Sequence, residues 1–152
     1  MNVDNIQLLI NKISTLSRGH NTGPDEKAFD MSSVLHDCGT PACIAGWALA
    51  LRLQSEGPEL ESMIDEYRVA HPEVRERASI MLGTEMSIAR DFLGLDNGRA
   101  KDLFHADGVS SFFWEKIEPE AAVKVLQHLI NTGKVDWSVA ELPEDFYLRP
   151  EE

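Results

Sequence analysis

Residues 41–51 read Pro41-Ala42-Cys43-Ile44-Ala45-Gly46-Trp47-Ala48-Leu49-Ala50-Leu51, the longest uncharged apolar run in the chain. A bilayer span needs ~20 such residues, so this run is too short to cross a membrane. It is apolar on every side until Arg52, and a helix with no face to offer water belongs in the middle of a fold, with other helices packed around it. Thr40 before Pro41 reads as an N-cap followed by proline at the first helical position, with the helix running to about Ser55 and stopped by Gly57-Pro58. Gly46 within it costs about 1 kcal/mol relative to alanine, which points to another backbone in close approach.

Working outward, Ile6, Leu9, Ile10, Ile13 and Leu16 recur at helical spacing, predicting a first helix over 4–17 with Asp4 as its cap. Residues 18–28 form a polar loop punctuated by Gly and Pro. Further helices are expected over 59–70, over 72–82 after a proline start, over 85–93 with Thr84 capping and Gly94 stopping, and over 97–104. The pattern at 119–131 is strong, with Val123, Leu126 and Ile130 inward and Gly133 at its end. The tail after Trp137 reads as irregular. No stretch alternates, no repeat is visible, and the fold class that follows is mainly all-α: an orthogonal helical bundle around a buried central helix, with room for a two-stranded ribbon near Phe29 or Val135. Residues 1–152 are expected to make one domain, frayed at 1–3 and 146–152.

Twenty-six Asp and Glu against 14 Lys and Arg give a formal net charge of −12. That charge repels a polyphosphate backbone, so direct nucleic-acid binding is disfavoured and a protein partner is expected instead. The N-terminus lacks the basic start and small-residue cleavage site of a secretory signal, and two cysteines are too few for a disulfide framework, so a cytoplasmic chain with free thiols is expected.

The string with most chemistry is His36-Asp37-Cys38-Gly39-Thr40-Pro41-Ala42-Cys43. With Thr40 as the cap, Cys43 falls at the third helical position, where unpaired N–H groups favour a thiolate, so Cys43 is a candidate nucleophile with His36, His105 or His128 as its base. Cys38 and Cys43 are also a candidate redox pair. With His36 and a distant histidine such as His20 or His105, they could instead hold zinc, the one cofactor the sequence leaves open. Trp47, Cys38 and Thr40 are candidate ligand-binding residues. Against these stands the ordinary reading of a buried cysteine as a small hydrophobe.

The string Cys38-Gly39-Thr40-x-x-Cys43-Ile44-Ala45-Gly46-Trp47-Ala48, followed by Leu93-Gly94-Leu95 and Leu103-Phe104, resembles a signature of small uncharacterised proteins of bacteria and their phages. The resemblance extends, with long gaps, from about Phe29 to Trp137. It implies a shared fold unit and carries no activity.

Residues 88–103 have the outline of a helix-turn-helix, but the stretch that would enter DNA offers only Arg99 and Lys101 against Asp96 and Asp102, so that reading is rejected. The aromatics Trp47, Trp114, Trp137, Phe92, Phe104, Phe112 and Phe113 fit a core better than a cofactor box. P-loop, dinucleotide-turn, HExxH, EF-hand and nucleophile-elbow motifs are missing, which weighs against an enzyme. The expectation is a non-enzymatic acidic accessory protein, phage or mobile-element encoded, that binds another protein. The alternatives are a cysteine enzyme built on Cys43 and a zinc-stabilised module built on Cys38 and Cys43.

Overall fold

In α2 (Ile44–Leu53), every residue from Ile44 to Ala50 is buried, as an all-round apolar helix requires. The computed structural model describes residues 1–20, 23, 28–77 and 83–148. Around α2 pack α1 (Val3–Ile13), α3 (Leu60–Ala70), α5 (Thr84–Leu93) and α6 (Asn97–Phe104). The α4 helix (Pro72–Arg77) joins α3 to α5, and α7 (Pro119–Thr132) packs on α1. The fold is mainly α-helical, and its buried apolar side chains form one continuous cluster from Ile6 to Ala140.

Local chemistry explains most of the boundaries. The α1 stripe Ile6, Leu9, Ile10 and Ile13 is buried as its spacing demands. The cap, however, is Asn2, whose side chain accepts the Asn5 N–H at 3.0 Å, not Asp4. The helix also stops at Ile13, because Ser17–Arg18 leave it to form β1, a two-residue strand paired in parallel with β2 (Ala28–Phe29). This is the ribbon expected near Phe29. Gly83 rather than Thr84 caps α5, and Gly94 ends it in the left-handed conformation. Asp96 caps α6 by accepting the Arg99 N–H at 2.8 Å. The expected helix over 72–82 is described only as far as Arg77, and 78–82 lie outside the described residues.

Two expectations about 119–152 need correction. The buried stripe of α7 is Ala122, Val125, Leu126 and Leu129, so the helix is turned from the expected face, leaving Val123 and Ile130 at the edge of the core. The two readings share Leu126; alanine at 121 and 122 lets α7 lie close to its neighbours on the other side of that leucine. The tail after Trp137 is ordered into short 3-10 turns, Trp137–Ala140 and Glu144–Phe146. Towards the two ends, where fraying is expected from the sequence, backbone hydrogen bonds reach Asn2, Phe146 and Leu148. The Asn2 N–H donates to Leu93 O at 2.9 Å, Ser110 N–H to Phe146 O at 2.8 Å, and Leu148 N–H to Gly108 O at 2.8 Å. Residues 149–152 lie outside the described residues.

Gly46 faces the backbone approach its presence suggested. A Cβ there would collide with the carbonyl oxygen of Val34, so the loop before α2 is laid directly on the helix. Helix propensity alone would make alanine better by about 1 kcal/mol. The collision is with backbone, which has no alternative rotamer, and overpacking of this kind costs about 1–3 kcal/mol. Gly46→Ala is thus expected to lower the urea-unfolding free energy by about 2 kcal/mol at unchanged m-value. A variant as stable as its parent would mean that the loop does not rest on α2.

Candidate functional site

The loop of residues 30–43 is a tight turn laid over the start of α2. Ala42 N–H donates to Val34 O at 3.0 Å, His36 N–H to Thr40 O at 2.9 Å and Gly39 N–H to His36 O at 2.8 Å, and Leu35 and Pro41 form an antiparallel bridge. These bonds put Thr40 and Pro41 in the returning arm of the turn. The expected cap is therefore corrected: Thr40 does not cap α2, because its carbonyl is used across the turn and its hydroxyl lies 3.1 Å from Cys38 Sγ, hydrogen-bonded to it. Cys43, extended at φ −87° and ψ −176°, occupies the N-cap position instead, and its side chain caps no N–H.

That shift changes the chemistry of Cys43. The thiol is buried in the core. Burial pushes its pKa up to about 11, outweighing the downward pull of the Gly46 and Ala45 N–H groups, and the Asp30 charge pushes the same way. A nucleophilic cysteine needs a depressed pKa and access to its electrophile, and Cys43 has neither. His36 makes its hydrogen bond elsewhere: its Nε2–H donates to Ala28 O at 2.9 Å, and its buried Nδ1 has no hydrogen-bond partner among the described residues. Cys38 is half-buried beside Thr40. Among the described residues, no group of three or more His, Cys, Asp or Glu is arranged to hold a metal ion. Trp47 is fully buried under α1, with the Lys12 ammonium 5.6 Å from its ring centroid.

The pair that the turn does assemble was not visible in the sequence. Asp30 is completely buried, yet its carboxylate accepts the Ser32 N–H at 2.8 Å, the Ser32 hydroxyl at 2.6 Å and the His20 Nδ1–H at 2.6 Å. Burial raises the Asp30 pKa, but the Ser32 donors and His20 together outweigh it and hold the carboxyl below its ordinary range. His20 is 58% exposed and also lies 3.4 Å from Glu115 Oε2. Its pKa is raised, first by the hydrogen bond and charge of Asp30, which outweigh the opposing desolvation, and further by Glu115 and Asp37. The pair thus ties the β1 end of the chain to the turn. The only sequence hint was two polar residues flanking a Gly- and Pro-rich loop, which says nothing of their contact.

A second feature lies between α6 and the segments that carry Phe112 and Leu148. Phe112 is 85% exposed and Leu148 64% exposed. Both line a hollow of about 410 Å³ whose wall includes Asp102, His105, Asp107 and Trp114. Trp114 is held by its Nε1–H, which donates to Val109 O at 3.0 Å, and Phe113 stacks on Phe146 at 4.5 Å between centroids. The Asp102 pKa is raised by partial burial and by the neighbouring charge of Asp107, against the Lys101 charge. Compared with known proteins, the chain matches no family model, no curated protein and no solved structure.

Two outcomes follow for the turn. Iodoacetamide should modify Cys38 in the native protein and Cys43 only after unfolding, as read by peptide mass mapping. For the His20–Asp30 pair, the raised histidine contributes fully below 6.5 and loses its contribution as pH rises through its folded value. The lowered aspartate contributes above 3.8 and loses it as pH falls. The stability lost in His20→Gln should therefore peak between these limits and fade on the alkaline side, and an equal loss at pH 9 would contradict the pairing.

Proposed function

We propose that the chain is a non-enzymatic accessory protein of the cytoplasm, phage or mobile-element borne, that binds another protein, and that the hollow beside Phe112 and Leu148 is where it does so. The observation that carries this reading is the exposure of a whole phenylalanine ring next to an exposed leucine. Leaving such side chains in water forgoes about 1.5–3 kcal/mol each. Paired on one rim, they have the form of an interface anchor. In the wall beside them Trp114 is braced by its bond to Val109 O, which reduces the ordering a partner must impose.

Charge names the partner's chemistry. Asp102 and Asp107 crowd one another at the hollow, and the chain carries −12 overall. A Lys or Arg placed beside Phe112 would relieve that crowding, so the fitting partner segment is cationic and apolar together. The free thiols of Cys38 and Cys43 agree with a reducing compartment, and no helix among the described residues is long and apolar enough to cross a membrane.

The test is selection of random linear peptides on the immobilised protein, with Phe112→Ala as the counter-selecting surface. Enriched peptides should combine basic with aromatic or aliphatic residues and bind at least tenfold more weakly to Phe112→Ala, whose unfolding midpoint should be unchanged. Binding should also weaken as pH falls and Asp102 takes up its proton, since the protonated acid no longer attracts the cation. Peptides that bind both surfaces equally, or that carry no basic residue, would overturn the reading.

A further inference from the structure

A separate hollow of about 550 Å³ runs along one face of α2, where Trp47, Ala50, Leu51 and Gln54 follow one another at helical spacing. Lys12 of α1 closes one side, and Glu56 and Glu59, in the connection to α3, close the other. Volumes of this size are those of small-molecule sites. The Lys12 ammonium is 2.6 Å from Glu56 Oε1, and Ser55 Oγ donates to Glu59 Oε1 at 2.9 Å. Gln54 stands at the end of α2 in the left-handed conformation, φ 59°, a strained placement for a residue with a side chain.

The three tryptophans differ in one respect. The indole N–H groups of Trp114 and Trp137 each donate to a backbone carbonyl, at 3.0 Å to Val109 O and 3.0 Å to Asp102 O. Trp47 is fully buried, and its Nε1 has no hydrogen-bond partner among the described residues. A buried indole N–H without an acceptor is costly and uncommon. Trp47 is also the one of the three that lines this hollow; its Nε1 has no accessible surface while the hollow is empty, so a ligand's acceptor satisfies it by displacing the side chains that cover it.

We propose that this hollow binds a small zwitterion of the α-amino-acid type. Its carboxylate accepts from the Trp47 Nε1–H and from the Lys12 ammonium, which has three donors and can serve Glu56 as well. Its ammonium faces the carboxylates of Glu56 and Glu59. With one cation and two carboxylates in its lining, the hollow carries a formal charge of one negative unit. A simple anion would meet that charge unfavourably, and a simple cation would leave the indole unanswered. A zwitterion meets both conditions, and its side chain would lie along Ala50 and Leu51.

The test follows the three indole N–H cross-peaks of the ¹⁵N-labelled full chain while each common α-amino acid is added singly at millimolar concentration. At least one should shift the Trp47 cross-peak saturably while leaving those of Trp114 and Trp137 in place. Its α-amide and its N-acetyl derivative, each lacking one charge, should bind at least tenfold more weakly. Lys12→Gln, a change at a partly exposed side chain, should weaken binding by about tenfold. Trp47→Phe should do the same wherever its spectrum shows a folded chain. Phe112→Ala should bind the amino acid like the parent, which separates this site from the peptide-binding hollow. The proposal is overturned if no amino acid moves the Trp47 signal, if the amide and the N-acetyl derivative bind as well as the parent compound, or if Lys12→Gln binds unchanged.

Discussion

The contact between the Val34 carbonyl and the bare Cα of Gly46 fixes how the N-terminal half of the molecule is put together. It seats the turn of residues 30–43 on α2 with no side chain between them. Once the turn lies there, Ala42 O can accept the Asp30 N–H at 2.9 Å, which sinks Asp30 beneath the surface. A buried carboxylate must find donors, and Ser32 and His20 supply them. The chain of consequences runs from one missing methyl group to a buried charge and then to the exposed imidazole that covers it.

The same seating decides the fate of the cysteines. Because the turn consumes the Thr40 carbonyl, α2 starts later than a cap-and-proline reading suggests, and Cys43 enters the core at the helix boundary rather than within the first turn. Two effects then compete at its sulfur: nearby N–H groups favour the thiolate and burial opposes it. Burial is the larger. Cys38, on the outward side of the turn, keeps partial access to water. Neighbours in sequence, the two thiols live in different solvents.

What could be read from the sequence follows from the range of the forces involved. Helices whose apolar stripe is sharp, such as α1 and α2, were legible because burial is written into residue spacing; Gly94 and Gly133 were legible as stops because the left-handed conformation is a local demand. Gly46 gave away a close approach without naming Val34. Thr40-Pro41 misled because a local cap signal lost to hydrogen bonds across a turn, and the α7 face misled because two overlapping stripes share Leu126. The His20–Asp30 pair, the exposure of Phe112 and the unanswered indole of Trp47 depend on contacts between distant segments. No spacing rule reports those. Of the residues singled out around the cysteines, the sequence marked the right turn but assigned its chemistry to the sulfur, whereas the charge lies on Asp30.

The direct seating of turn on helix also makes the stretch from Val34 to Gly46 a ruler. Its length is set at both ends, by the carbonyl that touches Gly46 and by the bridge between Leu35 and Pro41. An inserted or deleted residue there would slide the turn along α2, lift Asp30 from its donors and expose the start of the core. Variation in length among chains of this architecture should therefore be excluded from this stretch. The spacing from Cys38 to Trp47 thus records a distance in space as much as a pattern of residues.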